Sequence, residues 1–150
     1  MPSRIVYNDR TTANAAFDRR DYVTALRFYR QLAEAGDVRA QHTLGVMYEK
    51  ALGVRQDYVA AMDWYRKAAE QGNAAAQFKL GNLYHDGRGA PQNYAEAAAW
   101  YRRSAEQGHA FAQNNLAAMC EGGQGVPQDP ARAAYWYRLA AEQGNALAQY

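Results

Sequence analysis

Positions of identical residues in this chain differ by one number again and again. Asp21, Asp57, Asn93 and Asp129 stand 36 residues apart (21 to 57, 57 to 93, 93 to 129). Gly36, Gly72, Gly108 and Gly144 keep that spacing, as do Ala40, Ala76, Ala112 and Ala148, and Gln41, Gln77, Gln113 and Gln149. Leu44, Leu80 and Leu116, with Gly53, Gly89 and Gly125, add two further registers. A period of this length marks a chain built by stacking copies of one supersecondary unit, because a single copy cannot bury its own apolar face.

Within one period the residues spell two helices. In the segment Asp57 to Gly72, Asp57 is an N-cap, its carboxylate placed to accept the free N–H groups of the first turn. Asp21, Asn93 and Asp129 take the same part, and Pro130 follows at the first helical position, where its missing N–H costs nothing. Tyr58, Ala61, Met62, Tyr65, Ala68 and Ala69 recur at steps of three and four, which is one apolar helix face. Gly72 closes the helix as a left-handed C-cap. Asn73 then opens a second helix over Ala74 to Asp86, with Ala76, Leu80, Leu83 and Tyr84 inward. Gly45 and Gly81 inside this helix must be offset by close packing, since glycine there costs about 1 kcal/mol against alanine. Ala117 holds the third place in that series.

The loops, Ala51–Gln56, Gly87–Gln92 and Gly123–Gln128, carry the glycines and prolines that stop helices. The predicted fold is all-α: an α/α solenoid of stacked helix-turn-helix units with a 36-residue period. One solenoid domain covers 1–150. An atypical N-terminal capping helix pair spans 1–36, its first helix running from Thr12 to Arg20 with Phe17 in an aromatic slot. Repeats span 37–72, 73–108 and 109–144, and a truncated further repeat starts over 145–150. Such an array presents a long face suited to a peptide or a protein surface.

Composition narrows the function classes. With 49% hydrophobic and 21% charged residues the chain has a globular balance. A net charge of +2 gives no electrostatic basis for a nucleic-acid or anionic-membrane partner. No run approaches the length of a membrane span, and Met1 to Phe17 lacks the apolar core of a signal peptide. The single cysteine, Cys120, forms no internal disulfide. Together these predict a cytoplasmic protein, or a periplasmic or secreted one whose export signal has been removed.

The run Tyr58 to Asn73 (YVAAMDWYRKAAEQGN) and its continuation Ala76 to Tyr84 (AQFKLGNLY) resemble the Sel-one-like repeat, a relative of the tetratricopeptide repeat. The resemblance extends over Asp21 to Tyr150. It implies a right-handed superhelix and a non-enzymatic scaffold or adaptor that binds a peptide or protein in its concave groove, with no cofactor. In tetratricopeptide-like units the helix ending near Tyr84 lines the concave side. The pattern therefore assigns the groove to Arg39, His42, Val46 and Glu49, then Ala75, Phe78, Asn82 and His85, then Phe111, Asn114, Ala118 and Glu121. These positions vary between units while the core positions do not. Some cysteine-rich members of the family are linked to penicillin binding or β-lactam hydrolysis and carry a cysteine pair per repeat. With Cys120 alone, this chain gives no ground for carrying that activity over. The alternatives to an adaptor are a homo-oligomeric module using the open C-terminal end near Tyr150, and a β-lactamase-like activity by family association only.

Other patterns reduce to the repeat. Gly87-Arg88-Gly89 and Gly122-Gly123-Gln124-Gly125 look like phosphate loops but follow helices, not strands. His42, His85 and His109 show no i, i+4 pair of a zinc helix, and His109 occupies the capping slot of Asn73 and Asn145. Cys120 falls in the register of Tyr48 and Tyr84, as a buried small hydrophobe. Trp64, Trp100 and Trp136, with Tyr65, Tyr101 and Tyr137, sit at fixed helical slots as packing residues rather than base-stacking platforms. Arg30, Arg66, Arg102 and Arg138 each precede a glutamate by four residues, reading as a solvated ridge.

Overall fold

The computed structural model describes the backbone of residues 2–148 and the side-chain surroundings of residues 9–144. Eight helices and no strand occur among the described residues: α1 (Pro2–Asp18), α2 (Tyr22–Glu34), α3 (Val38–Lys50), α4 (Tyr58–Glu70), α5 (Ala74–Asp86), α6 (Tyr94–Glu106), α7 (Ala110–Gly122) and α8 (Pro130–Ala148). The architecture is all-α, with helical hairpins recurring at about 36 residues in the solenoid manner. The chain resolves into two compact units, Met1–Asn73 with α1 to α4 and Ala74–Tyr150 with α5 to α8. In each unit every helix packs on its neighbour in sequence.

The predicted caps form. Asp21 Oδ1 accepts from Thr24 N at 3.3 Å, Asp57 from Ala60 at 3.0 Å, Asn93 from Glu96 at 3.0 Å and Asp129 from Arg132 at 3.1 Å. α8 begins at Pro130. His109 is the cap of α7, its ring Nδ1 accepting from Ala112 N at 3.2 Å.

Two elements differ from expectation. α1 reaches back to Pro2 rather than starting at Thr12. No glycine or further proline interrupts residues 3–18, and Pro2 suits a first helical position. α8 runs straight through Gly144, which does not end a helix as Gly36 and Gly108 do. Those two turn the chain into α3 and α7, which pack back on α2 and α6. The side chains of the expected further repeat over 145–150 lie outside the described residues.

Within each unit, buried glutamines tie neighbouring helices together. Gln41 Nε2 donates to Ala33 O at 3.1 Å, and Gln113 Nε2 to Ala105 O at 3.1 Å. Their side-chain oxygens accept in turn from Gln71 (2.7 Å) and Gln143 (2.9 Å), and Gln77 Oε1 accepts from Gln107 at 2.8 Å. A buried amide needs such partners, since an orphaned polar group costs about 1–3 kcal/mol. The loops are tied similarly: Gln56, Gln92 and Gln128 donate to the carbonyls of Glu49, His85 and Glu121. Gly53 and Gly125 have positive φ, and each lies against a neighbouring helix start, at Tyr22 and Tyr94, where any Cβ would strike backbone.

The core of the first unit gathers Ala25, Tyr29, Leu32, Leu44 and Met47, with Phe17 edge-on to Tyr22 and Tyr29. That of the second gathers Ala97, Tyr101, Leu116, Met119, Cys120 and Trp136. Alanine predominates, which lets the helices approach closely.

Candidate functional site

The repeated feature beneath the clefts is a tyrosine. Tyr29, Tyr65, Tyr101 and Tyr137 share one register, and each hydroxyl donates to a side chain on the preceding helix. Tyr29 bonds Asn14 Oδ1 (2.5 Å), Tyr65 bonds Glu49 Oε2 (2.6 Å), Tyr101 bonds Asn82 Oδ1 (2.5 Å) and Tyr137 bonds Glu121 Oε2 (3.0 Å). Burial pushes all four phenols up; the charge of Asp18 adds to this at Tyr29, and the bonded carboxylates Glu49 and Glu121 add to it at Tyr65 and Tyr137. Tyr101 is pushed up to about 12, by burial first, against a hydrogen bond offered by Asn115 and with the charge of Asp86 acting upward.

Above Tyr101 the second unit opens a cleft of about 270 Å³ between α5 and α7. Asn82, His85 and Asp86 come from α5, Asn115, Ala118 and Met119 from α7, and Gln124 from the following loop. Asn115 Nδ2 lies 3.5 Å from Asn82 Oδ1, the atom that also takes the Tyr101 hydroxyl. The donor end of Asn82 and the acceptor end of Asn115 take no partner among the described residues. His85 Nδ1 sits 3.0 Å from Asp86 Oδ1. At the N-terminal end of α7, His109 stacks on Phe78 with ring centres 4.7 Å apart, and Phe111 stands 6.1 Å from Phe78, 69% exposed. The first unit has a smaller cleft of about 160 Å³ over Tyr29, lined by Asn14, Arg39 and Thr43 among others, with Arg10 paired to Asp37.

Of the residues assigned to the groove from sequence, Asn82, His85 and Ala118 line the one cleft, and Arg39 lines the other. Phe78 and Phe111 meet in the aromatic cluster, though Phe78 also packs on the core and lies 6.0 Å from Tyr101. Glu49 and Glu121 are engaged by tyrosines, and His42 lies 5.9 Å from Tyr65. Val46 and Ala75 are half-buried, and Asn114 is exposed and not among the residues that line the cleft. Sequence reading missed Tyr101, Asn115, Asp86, Met119 and Gln124. The tyrosine register was a usable signal; Asn115 was not, because two stacked helices offer opposite flanks to the cleft between them. A single register cannot be read for both.

Two other predicted features have a physical address. Cys120 is buried, and burial pushes its thiol up against the pull of Arg102 and Arg132. Arg30 donates to the Tyr48 hydroxyl at 2.7 Å, and Arg102 is half-buried near Cys120, so the arginine series is not uniformly a solvated ridge. Among the described residues no three His, Cys, Asp or Glu side chains gather as a metal site, and no helix is long and apolar enough to cross a membrane.

Comparison with known proteins adds the following. The family model described as Sel1 repeat matches residues 17–37, 38–73, 74–109 and 110–145. The crystal structure of c5321, a protective antigen present in uropathogenic Escherichia coli strains and displaying an SLR fold, is 41% identical with a TM-score of 0.81, over 82% of this chain and 26% of that one. A Sel1 repeat protein from Oxalobacter formigenes is 43% identical with a TM-score of 0.77, over 81% of this chain and 50% of its own. The chain thus spans about a quarter of the first and half of the second. No curated protein matches it.

Proposed function

The chain belongs to the Sel1 repeat family, whose members generally serve as protein-interaction scaffolds, and from that premise we propose that it binds an extended peptide segment of a partner protein in the cleft over Tyr101. One observation carries the reading. The repeated residues of the second unit are engaged in packing, while Asn82 and Asn115 bring one unspent N–H donor and one unspent carbonyl acceptor to a common cleft. A peptide group offers the complementary acceptor and donor. Phe111 and the Phe78–His109 stack supply an apolar plate beside it, of the kind that anchors interfaces.

The test selects peptides from a random display library on the purified chain and measures their affinities calorimetrically. Asn115→Ala and Phe111→Ala are the informative variants, since neither residue is buried in the core. Each should weaken selected peptides by roughly tenfold or more, the effect of losing about 1.4 kcal/mol or more of contact, with an unchanged melting curve. Affinities that survive both substitutions would place binding elsewhere.

Self-association through α8 is the second reading, favoured by one contrast. Tyr137 is 38% exposed, whereas Tyr101 in the same register is 2% exposed under α7. Light scattering over a concentration series distinguishes the two: a constant monomer mass removes self-association.

A further inference from the structure

The capping slot before the helices α3 and α7 is filled differently in the two units. Asp37 caps α3, its Oδ1 accepting from Ala40 N at 2.8 Å. His109 caps α7 through Nδ1, which accepts from Ala112 N at 3.2 Å. The slot holds asparagine at positions 73 and 145. His109 is therefore the one occupant whose capping atom is lost on protonation near neutral pH.

The geometry fixes the tautomer. An Nδ1 that accepts carries no proton, so the neutral ring bears its hydrogen on Nε2. Protonation turns Nδ1 into a donor facing the Ala112 N–H, and two donors repel. The new positive charge also sits at the positive end of the α7 dipole. The same ring stacks at 4.7 Å on Phe78 of α5 and stands 6.2 Å from Phe111 of α7. Cap and aromatic plate are one assembly.

We propose that His109 is a pH-sensitive cap: its protonation releases the first turn of α7 and loosens the Phe78–Phe111 face beside it. The groups around it favour this sense. From α5 it meets Phe78, whose ring face attracts a cation and opposes the switch. From α6 it meets the Ser104 carbonyl, which holds its backbone N–H at 3.2 Å, and Tyr101 lies on Phe78, neutral to about pH 12. From α7 it meets Phe111 and the Ala112 and Gln113 amides. No charged side chain contributes to its titration, and burial alone holds the imidazole below its ordinary value. The neutral form is thus favoured on folding. Its contribution is present above the unfolded value of 6.5 and is lost as pH falls from there through the folded value.

Only the consequence for peptide binding, weaker capture in acid, rests on the function proposed above. The cap itself is tested without any ligand. Melting temperatures of wild type, His109→Asn and His109→Asp are followed from pH 7.5 to 5.0, with the His109 ring proton titrated by NMR. His42 and His85 are common to all three proteins and cancel. Wild type should lose about 2–8 °C more than His109→Asn over this range, the loss of one cap in a chain of this size, and the Ala112 amide should exchange faster in acid. Parallel melting profiles, or a His109 titrating at or above its ordinary value, would overturn the switch. A pH-sensitive cap in a protein that captures no peptide would instead overturn the function reading alone.

Discussion

At the scale of single residues, the glycine–tyrosine pairs explain a composition that helix propensity opposes. A Cβ at Gly45 would come within 2.5 Å of the Tyr65 ring, and one at Gly81 within 2.7 Å of the Tyr101 ring. In the third copy Ala117 replaces the glycine, and there the tyrosine, Tyr137, is more exposed and has the longest hydroxyl bond of the series, 3.0 Å. Gly81→Ala gains about 1 kcal/mol of helix propensity and incurs an overpacking cost of about 1–3 kcal/mol. The expected outcome is a net loss read as a lower urea midpoint; a more stable variant would show that Tyr101 can yield freely. Leu80, fully buried, tests the core register itself. Leu80→Ala should cost about 2–5 kcal/mol, a large part of a domain's total, and an unaltered melting curve would mean that the register is misread.

At the scale of elements, helices and caps were legible because each rests on short-range chemistry. Asp21, Asp57, Asn93 and Asp129 cap where expected, and α4 and α5 fall on the predicted segments. What the sequence concealed were the side-chain partners of repeated polar residues. The glutamine series at 41, 77 and 113 was visible as a pattern, but its purpose needs two chain segments thirty residues apart. Gln113→Ala leaves the Gln143 amide without its acceptor and the Ala105 carbonyl without its side-chain donor, though that carbonyl keeps the Gly108 N–H. A loss of about 1–3 kcal/mol is expected, with faster hydrogen exchange where α6 meets α7; Gln113→Glu, which keeps an acceptor but no donor, should recover only part of it. Gly125→Ala should cost more than a propensity change, because positive φ and the Tyr94 backbone both oppose a side chain. A midpoint within error of wild type would refute that close approach.

At the scale of the whole molecule, the tyrosine register sets an alkaline limit. Tyr29, Tyr65, Tyr101 and Tyr137 all hold their protons above the ordinary value of 10.0, with burial the leading cause. The unfolded chain gives up those protons first, so the stability they provide is intact below pH 10 and is lost as pH rises beyond it. Urea midpoints should fall between pH 9 and 12, and less steeply in Tyr101→Phe than in wild type; equal slopes would remove Tyr101 from the account. The clefts were only partly legible at this scale, since Asn115 and Tyr101 reach one space from two helices whose mutual rotation no single register records. The glutamine rungs carry a consequence for heredity. Each rung joins two glutamines of one repeat, so recombination that inserts or deletes 36 codons in register carries every rung whole. Length is therefore free to drift between lineages without a fresh solution to folding, while each added copy brings one more surface open to selection.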